Sequence, residues 1–275
     1  MNIKFDILFR ACDKVESVHN AKRLFGMNKL QTIKISFISL YKSLENFDAK
    51  FTIIGDDLSR EMLDFFENFD SVKVLNNKYG SAAKSLKKQL ELAYKAPDEN
   101  WVYLCEDDYL HTPYSFKYIE EFISSKKHYL QTSGKKKNLL NKFIGDLSNL
   151  PLIVHPPDYP DRYLSFWKRP SYIFLSKYCH WRQISNTTHT ILAKAKTIKK
   201  YRKYFDESAI GPSDTKLSEK VYGRLFFLRK KTLCVSPIQG LSTHMQEGVV
   251  TPFVDWEKYC HEYIQILEEL KAWND

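Results

Sequence analysis

The sequence has no apolar run that approaches the ~20 residues needed to span a bilayer. It begins MNIKFDILFRACDK, and the charges at Lys4, Asp6 and Arg10 interrupt what would be the apolar core of a signal peptide, so we expect no secretion signal. There are five cysteines, an odd number with no CxxC pair. These absences argue against a disulfide framework or a zinc knuckle and predict reduced thiols in a cytoplasmic protein.

No nucleic-acid-binding signature accompanies the net charge of +9. Basic clusters lie at 135–137, 199–203 and 229–231. Such a charge attracts anions, which include nucleic acid, lipid headgroups and phosphorylated small molecules. Because no RNA-recognition, helix-turn-helix or zinc pattern is present, we expect no nucleic-acid partner. The basic surface instead suggests the hypothesis of peripheral association with the inner face of a membrane, unless the clusters are simply solvated.

The first half alternates between strand and helix patterns. Strands are predicted at 3–9, 51–54, 72–75 and 101–105, and helices at 31–44, 59–69, 80–93 and 112–125. A repeated strand–helix order predicts an α/β fold, with a mostly parallel mixed sheet and helices on both faces. In the second half, 131–169 is predicted to be a long functional loop containing HPPDYPDRY. Helices at 188–198, 213–226 and 255–272 and a strand at 232–235 complete the prediction, with neither a repeat nor a linker, and so a single domain.

Three consecutive carboxylates, Glu106, Asp107 and Asp108, follow the strand pattern of WVYLC. Like charges side by side repel, so this cluster is favourable when a divalent cation such as Mg²⁺ or Mn²⁺ lies against it. The carboxyl end of a buried strand is also where open α/β sheets bind their ligands. The alternative is a solvated acidic turn. A cation here would serve a glycosyltransferase, a nucleotidyltransferase or a phosphohydrolase equally well.

Two earlier strand ends also carry polar residues. Arg10 and Asp13 follow the first strand, and Asp56 and Asp57 follow the second. In a parallel sheet these ends lie on the same edge as the acidic triplet. An arginine and aspartates at that edge suit contacts to a nucleobase or a phosphate. Each alone is more simply a turn residue, and their recurrence is what favours a site.

Four segments in order, FRACD, IIGDDLS, YGSAAKSLKKQLELA and VYLCEDDYLHTP, resemble the nucleotide-binding half of a GT-A glycosyltransferase related to family 2. The resemblance covers about the first 120 residues. It implies a Rossmann-like GT-A domain with a donor-binding half at 1–125 and an acceptor-binding half, containing a flexible loop and a C-terminal helix, at 126–275. Asp108 would then bind the metal, Asp56 or Asp57 the base, and Glu106 the ribose and diphosphate. The remaining donor-binding candidates are Arg10, Asp13, Lys84 and Asp107.

The resemblance also implies a downstream histidine in the metal shell and a carboxylate that acts as general base. His244, in LSTHM, is the candidate ligand, although a single histidine is often structural. Asp214 follows Ser213 at the start of a predicted helix and is the candidate catalytic base. The alternative is that Asp214 only interacts with the helix dipole, and Asp206, Glu207 and Glu219 compete with it as the base. For acceptor binding, the candidates are Tyr163, Trp181 and Arg182.

We therefore predict a metal-dependent glycosyltransferase, using Mn²⁺ or Mg²⁺, that moves a sugar from a nucleoside diphosphate-sugar to a hydroxyl of a glycan or lipid-linked acceptor, with inversion. A nucleotidyltransferase acting on a sugar phosphate is the second hypothesis. It normally needs a glycine-rich loop after the first strand, and FRACDKVESVHN has no glycine. A basic nucleic-acid-binding module and a degenerate, sugar-binding glycosyltransferase relative are the non-catalytic alternatives.

Overall fold

The computed structural model describes residues 3–15, 22–130, 149–164, 172–211, 215–223 and 231–273. Within these ranges the strands are β1 (Lys4–Ala11), β2 (Asp48–Asp56), β3 (Val72–Asn77), β4 (Trp101–Glu106), β5 (Tyr109–His111), β6 (Leu152–Val154), β7 (Ile173–Leu175), β8 (His180–Gln183), β9 (Ile191–Lys194), β10 (Leu233–Ile238) and β11 (Ser242–His244). The α-helices of the same ranges are α1 (Lys29–Ser43), α2 (Arg60–Glu67), α3 (Ala82–Ala93), α4 (Ser115–Leu130), α5 (Asp161–Leu164), α6 (Ala195–Lys200), α7 (Arg202–Ile210), α8 (Thr215–Lys220) and α9 (Trp256–Glu269).

One nine-stranded sheet runs through both halves of the chain, in the order β3-β2-β1-β4-β9-β6-β10-β8-β7. The first four strands of this order are parallel, as are β6 and β10, whereas β9, β8 and β7 pair antiparallel. A separate ribbon joins β5 to β11. The predicted α/β class with a mixed sheet is confirmed. The parallel strands place the carboxyl ends of β1, β2 and β4 on one edge.

Helices cover both faces of the sheet because the side chains of each strand alternate between two cores. Along β1, Phe5, Ile7 and Phe9 face a core shared with α1, α2, α4 and α9. Leu8 faces the opposite core, shared with α3, α6, α7 and α8. This alternation accounts for the continuous apolar run Ile7–Phe9 in the middle of the strand, the pattern expected of a segment buried on both faces.

The predicted helix at 188–198 is wrong over its first half. Ile191, Leu192 and Ala193 belong to β9, which lies antiparallel between β4 and β6, and helix α6 begins only at Ala195. All three side chains are fully buried, on both faces of the sheet. A short apolar run buried on both faces carries no periodicity that separates strand from helix.

The segment predicted as a long loop is more ordered than expected in the part that the structure describes. It contains β6 and α5, and residues 152–158 between and around them are buried. Residues 131–148 and 165–171 lie outside the described residues. So do 212–214 and 224–230, which overlap the two ends of the predicted helix at 213–226. Among the described helices, none is both long enough and apolar enough to cross a membrane.

Acid should weaken the fold through His189, which is buried and bonded to Ser208 (Nε2 to Oγ, 3.1 Å). Burial, helped by the nearby charge of Arg10, lowers the pKa of His189 to about 4. Between about pH 6.5 and pH 4, the unfolded chain therefore binds a proton at His189 that the folded chain does not bind. Stability is complete above pH 6.5 and falls as the pH drops towards 4, by up to about 1.4 kcal/mol per pH unit from this residue.

Urea unfolding of wild type and His189→Gln at pH 7, 6 and 5 measures this effect, because the difference between the two chains isolates the one residue. We expect the variant to lose less stability than wild type between pH 6 and pH 5. His261→Gln, a replacement on the exposed side of α9, is the control and should follow wild type. Parallel pH curves for wild type and His189→Gln would contradict the prediction.

Candidate active site

The acidic triplet lies where the chain leaves the main sheet. Glu106 ends β4, and Asp107 and Asp108 form the turn into β5. Strand β5 pairs antiparallel with β11, with Tyr109 opposite His244. The ribbon therefore carries His244 back to the triplet from 136 residues further along the chain.

Each carboxylate of the triplet has its own cationic partner from a distant part of the chain. Arg10 Nη2 donates to Glu106 Oε1 at 2.5 Å. Lys29 Nζ, at the start of α1, donates to Asp107 Oδ1 at 2.7 Å. His244 Nε2 lies 2.9 Å from Asp108 Oδ2. These three cations offset the repulsion between neighbouring carboxylates, which answers in part why the cluster is tolerated.

The Asp108–His244 pair is an ion pair held from several sides. Burial alone would raise the pKa of Asp108, but the positive charge and hydrogen bond of His244 outweigh it and lower that pKa. Burial likewise opposes the charge on His244, and Asp108 outweighs it, so the pKa of His244 is raised. The imidazole also stacks on the ring of Tyr109, with centroids 5.0 Å apart and planes within 11°. Each side chain therefore favours the charged form of the other, and the stack fixes the orientation of the imidazole.

Asp108 and His244 fit a divalent cation as a pair of protein ligands. Asp108 Oδ1 is buried without a hydrogen-bond partner, and its Oδ2 is already beside an imidazole nitrogen. A carboxylate and a neutral imidazole are an appropriate donor set for Mn²⁺, and the ion would displace the imidazole proton on binding. No group of three or more His, Cys, Asp or Glu in the described ranges is arranged to hold a metal. The remaining ligands would have to come from a bound phosphate or from water.

Glu106 and Asp107 are engaged in contacts that hold the edge together. Burial raises the pKa of Glu106, against the lowering effect of Arg10. The hydroxyl of Thr190, just before β9, lies 3.4 Å from Glu106 Oε2. Asp107 Oδ2 accepts the backbone N–H of Cys12 at 2.8 Å. These contacts join the ends of β1 and β4 and hold both carboxylates at that edge.

The aspartates after β1 and β2 lie on the same edge as predicted, and most of their contacts tie neighbouring loops together. Asp56 Oδ1 accepts the backbone N–H groups of Tyr79 and Gly80, at 2.8 and 2.9 Å. Asp13 Oδ2 accepts the N–H and the hydroxyl of Ser59, the N-cap residue of α2.

Asp57 and Lys84 are the more exposed of the donor-binding candidates. Asp57 has a positive φ of 57° and pairs with Lys14 at 2.6 Å. The hydrogen bond from Lys14 lowers the pKa of Asp57. Lys84 is exposed in the first turn of α3, where its backbone N–H donates to the N-cap Ser81. That turn follows the loop that Asp56 holds.

One acceptor-binding candidate is wrong. Trp181 is fully buried, its ring stacks on Phe122 at a centroid distance of 4.4 Å, and its Nε1–H donates to Ser176. No face of the ring is left for an acceptor. Tyr163 is 44% exposed, and the guanidinium of Arg182 lies 4.1 Å from the centre of its ring, so these two candidates do lie together at the surface. Asp214 lies outside the described residues.

Lys29 is the site residue that the sequence prediction missed. It is the first residue of α1, after the N-cap Asn28, which forms a capping box with Gln31. A positive charge at a helix N-terminus opposes the helix dipole. A lysine directly after the N-cap residue is therefore a signal, available in the sequence, that its charge is used elsewhere.

A scan against protein-family models found no match, and a search of curated proteins found none. Among solved structures, the chain is similar to a fragment, residues 1–349, of S. aureus TarS (TM-score 0.47, 11% identity, 96% of this chain and 64% of that one). It is also similar to the galactosyltransferase LgtC in complex with donor and acceptor sugar analogues (0.38, 10%, 78% and 64%). A third is a CMP:2-keto-3-deoxy-manno-octonic acid synthetase complexed with CTP (0.41, 12%, 98% and 99%).

The chain spans 64% of the length of each of these two LgtC and TarS structures, and 36% of a longer TarS structure. A galactosyltransferase is thus among the solved structures to which the chain is similar. The TM-scores are below 0.5 and the identities are 10–12%, so these similarities carry no argument about substrate or activity.

Proposed function

We propose that this protein is a glycosyltransferase that transfers a sugar, with inversion, from a nucleoside diphosphate-sugar to the hydroxyl of a glycan or lipid-linked acceptor. Asp108 and His244 would hold a Mn²⁺ or Mg²⁺ ion. Arg10 and Glu106 would face the ribose and diphosphate, and Asp56 and Asp57 the nucleoside. Tyr163 and Arg182 are the proposed acceptor contacts.

The observation that carries the proposal is the contact between Asp108 and His244. The two residues are 136 positions apart, and the side chains lie 2.9 Å from one another on the strand edge. Hydrophobic packing does not require this partly buried ion pair, because taking charged groups out of water is seldom a net gain in stability. A buried carboxylate oxygen without a partner, next to an imidazole, is better explained by a ligand that both residues bind.

The residues of the site have distinct tasks in this reaction. A divalent cation, when bound, offsets the negative charge that develops on the departing diphosphate. Asp108 and His244 hold it, and the stacked ring of Tyr109 keeps His244 in orientation. Arg10 and Lys29 fix the carboxylates of Glu106 and Asp107, so that the edge is rigid before the donor arrives.

A thermal-shift screen tests the proposal. We expect at least one of UDP, GDP, CDP or dTDP to raise the melting temperature with Mn²⁺ present, and to do so less in EDTA. A ligand at 100 times its Kd should stabilise the fold by about 2.7 kcal/mol. The anomeric configuration of the product, observed by NMR, then tests inversion. Stabilisation by CTP or UTP but by no diphosphate would favour the nucleotidyltransferase instead, and no stabilisation by any nucleotide would contradict both.

A cytoplasmic location and recruitment to anionic membranes belong to the same proposal. The five cysteines are free thiols, which supports a reducing compartment. The basic surface predicts salt-sensitive binding to liposomes that contain anionic lipid.

A further inference from the structure

The segment from His155 to Tyr163 is fixed against the ribbon that carries His244. Pro157 forms a bridge with Ser242 of β11, and the N–H of Asp158 points to the hydroxyl of Thr251 at 3.3 Å. Gly240 packs so closely against this segment that a Cβ atom at position 240 would lie 2.9 Å from the backbone N of Asp158. The position of Asp158 is therefore set by backbone contacts on both sides.

Asp158 is a buried carboxylate with too few partners. Its side chain is 1% exposed. Oδ2 accepts the hydroxyl of Tyr163, and Oδ1 has no hydrogen bond. The nearest cation is Arg162, whose Nη1 lies 3.8 Å from Asp158 Oδ1. The same nitrogen donates hydrogen bonds to the carbonyl of Pro157 and the hydroxyl of Ser236. A buried, partly satisfied carboxylate costs stability, which is expected at a functional position.

Tyr163 connects this buried carboxylate to the surface. Its hydroxyl is bound to Asp158, yet the residue is 44% exposed. The guanidinium of Arg182 covers one face of the ring at 4.1 Å, and Phe253 meets the ring at a centroid distance of 6.4 Å. Phe253 itself is 74% exposed with a positive φ of 66°, a conformation that is strained for an aromatic residue. An exposed pair of aromatic rings beside an arginine suits the binding of a sugar.

The same segment reaches the Asp108–His244 pair directly. The hydroxyl of Tyr159, next to Asp158 in the chain, lies 2.6 Å from the hydroxyl of Tyr109. Tyr109 in turn stacks on His244. Asp158 and Tyr163 are thus anchored to the edge at which the donor diphosphate is proposed to bind.

From this geometry we propose that Tyr163 and Asp158 form a proton relay that serves as general base for the acceptor, an inference that rests on the glycosyltransferase function above. As the acceptor oxygen bonds to the anomeric carbon, its proton passes to the Tyr163 oxygen, and the Tyr163 proton passes to Asp158 Oδ2. The bond between the anomeric carbon and the diphosphate oxygen breaks, and its electron pair leaves with the diphosphate. Tyr163 ends unchanged, and Asp158 ends protonated.

The charges around Asp158 agree with that role. Burial raises the pKa of Asp158, against the lowering effects of Tyr163, Arg162 and Arg182, while Asp161 raises it further. A carboxylate with a raised pKa accepts a proton more readily at neutral pH. Burial and Asp158 raise the pKa of Tyr163 to about 12, so the phenol stays protonated and passes a proton on rather than ionising.

The test uses a matched control that the chain supplies. Tyr94 bonds through its hydroxyl to Asp206 at 2.8 Å, beneath the guanidinium of Arg202 at 4.5 Å, which reproduces the tyrosine, carboxylate and arginine arrangement far from the site. Nucleotide release from UDP- and GDP-sugars, with mono- and disaccharide acceptors, is measured for wild type, Tyr163→Phe, Asp158→Asn and Tyr94→Phe. We expect about a 100-fold fall in kcat for Tyr163→Phe and for Asp158→Asn, with Kd for the nucleoside diphosphate within twofold of wild type. Tyr94→Phe should match wild type.

Wild-type rates in Tyr163→Phe, with the nucleotide still bound, would overturn the relay and leave the glycosyltransferase proposal standing. If the wild-type protein binds no nucleotide, that result would instead contradict the proposed glycosyltransferase function itself. A second measurement needs no substrate: the carboxyl carbon of Asp158 is titrated by NMR and assigned with Asp158→Asn. Its midpoint should lie above the ordinary value of 3.8 and move higher in Tyr163→Phe. A midpoint at or below 3.8 would also overturn the relay.

Discussion

Asp108→Asn should lower the affinity for Mn²⁺ by about 100-fold or more, because it removes the charge from one of two protein ligands. Changes to residues that merely support ligands already cost 10–100-fold. The variant keeps the size of the side chain, so the turn into β5 and the contact with Met245 (N–H to the Asp108 carbonyl, 2.7 Å) should persist. Loss of the carboxylate also removes the charge that raises the pKa of His244. The expected result is a folded protein that no longer binds the ion.

Titration of free Mn²⁺ by electron paramagnetic resonance, without nucleotide, measures this affinity apart from any activity. The control is Asp64→Asn. Asp64 lies in α2, forms an exposed ion pair with Arg60 and has no proposed role at the triplet, so this variant should bind Mn²⁺ as wild type does. With UDP and GDP present, Asp108→Asn should also lose the Mn²⁺-dependent rise in melting temperature. Equal Mn²⁺ affinity in wild type and Asp108→Asn would remove the metal site from the proposal.

Lys29→Met should destabilise the fold by about 3–5 kcal/mol, the usual cost of leaving one member of a buried ion pair without its partner. Lys29 Nζ and Asp107 Oδ1 are 2.7 Å apart, and the two side chains are only 10% and 11% exposed. Methionine retains most of the buried length of lysine, so lost packing contributes little. What remains is a buried Asp107 carboxylate with the N–H of Cys12 as its partner.

Urea unfolding of three variants separates charge from packing. The double variant Lys29→Met/Asp107→Asn should recover much of the loss, since no unpaired charge is left. Lys4→Met breaks a pair with Asp48 in which both side chains are about half exposed, and should change stability by no more than about 1 kcal/mol. A loss below 1 kcal/mol in Lys29→Met, or no recovery in the double variant, would show that the pair is not a significant electrostatic contact.

The elements that could be predicted from sequence are those whose periodicity is complete. Strand β1 and helix α9 follow from their apolar spacing, and α9 has its predicted N-terminus at Asp255, whose side chain caps Lys258. Strand β9 could not be predicted, because its three buried residues show no alternation. Trp181 illustrates the same limit in the site: an aromatic residue that is suited to bind a sugar is equally suited to the core, and only packing against Phe122 decides between them.

The sequence by itself determined the strand–helix order up to β4, the polar ends of β1, β2 and β4, and the candidacy of Asp108 and His244. Only the tertiary structure decided which charges meet. Glu106, Asp107 and Asp108 are paired with residues 96, 78 and 136 positions away, at distances of 2.5, 2.7 and 2.9 Å. Local propensity depends on neighbours within a few residues, whereas these pairs follow from the strand order of the sheet and the return of β11 along β5.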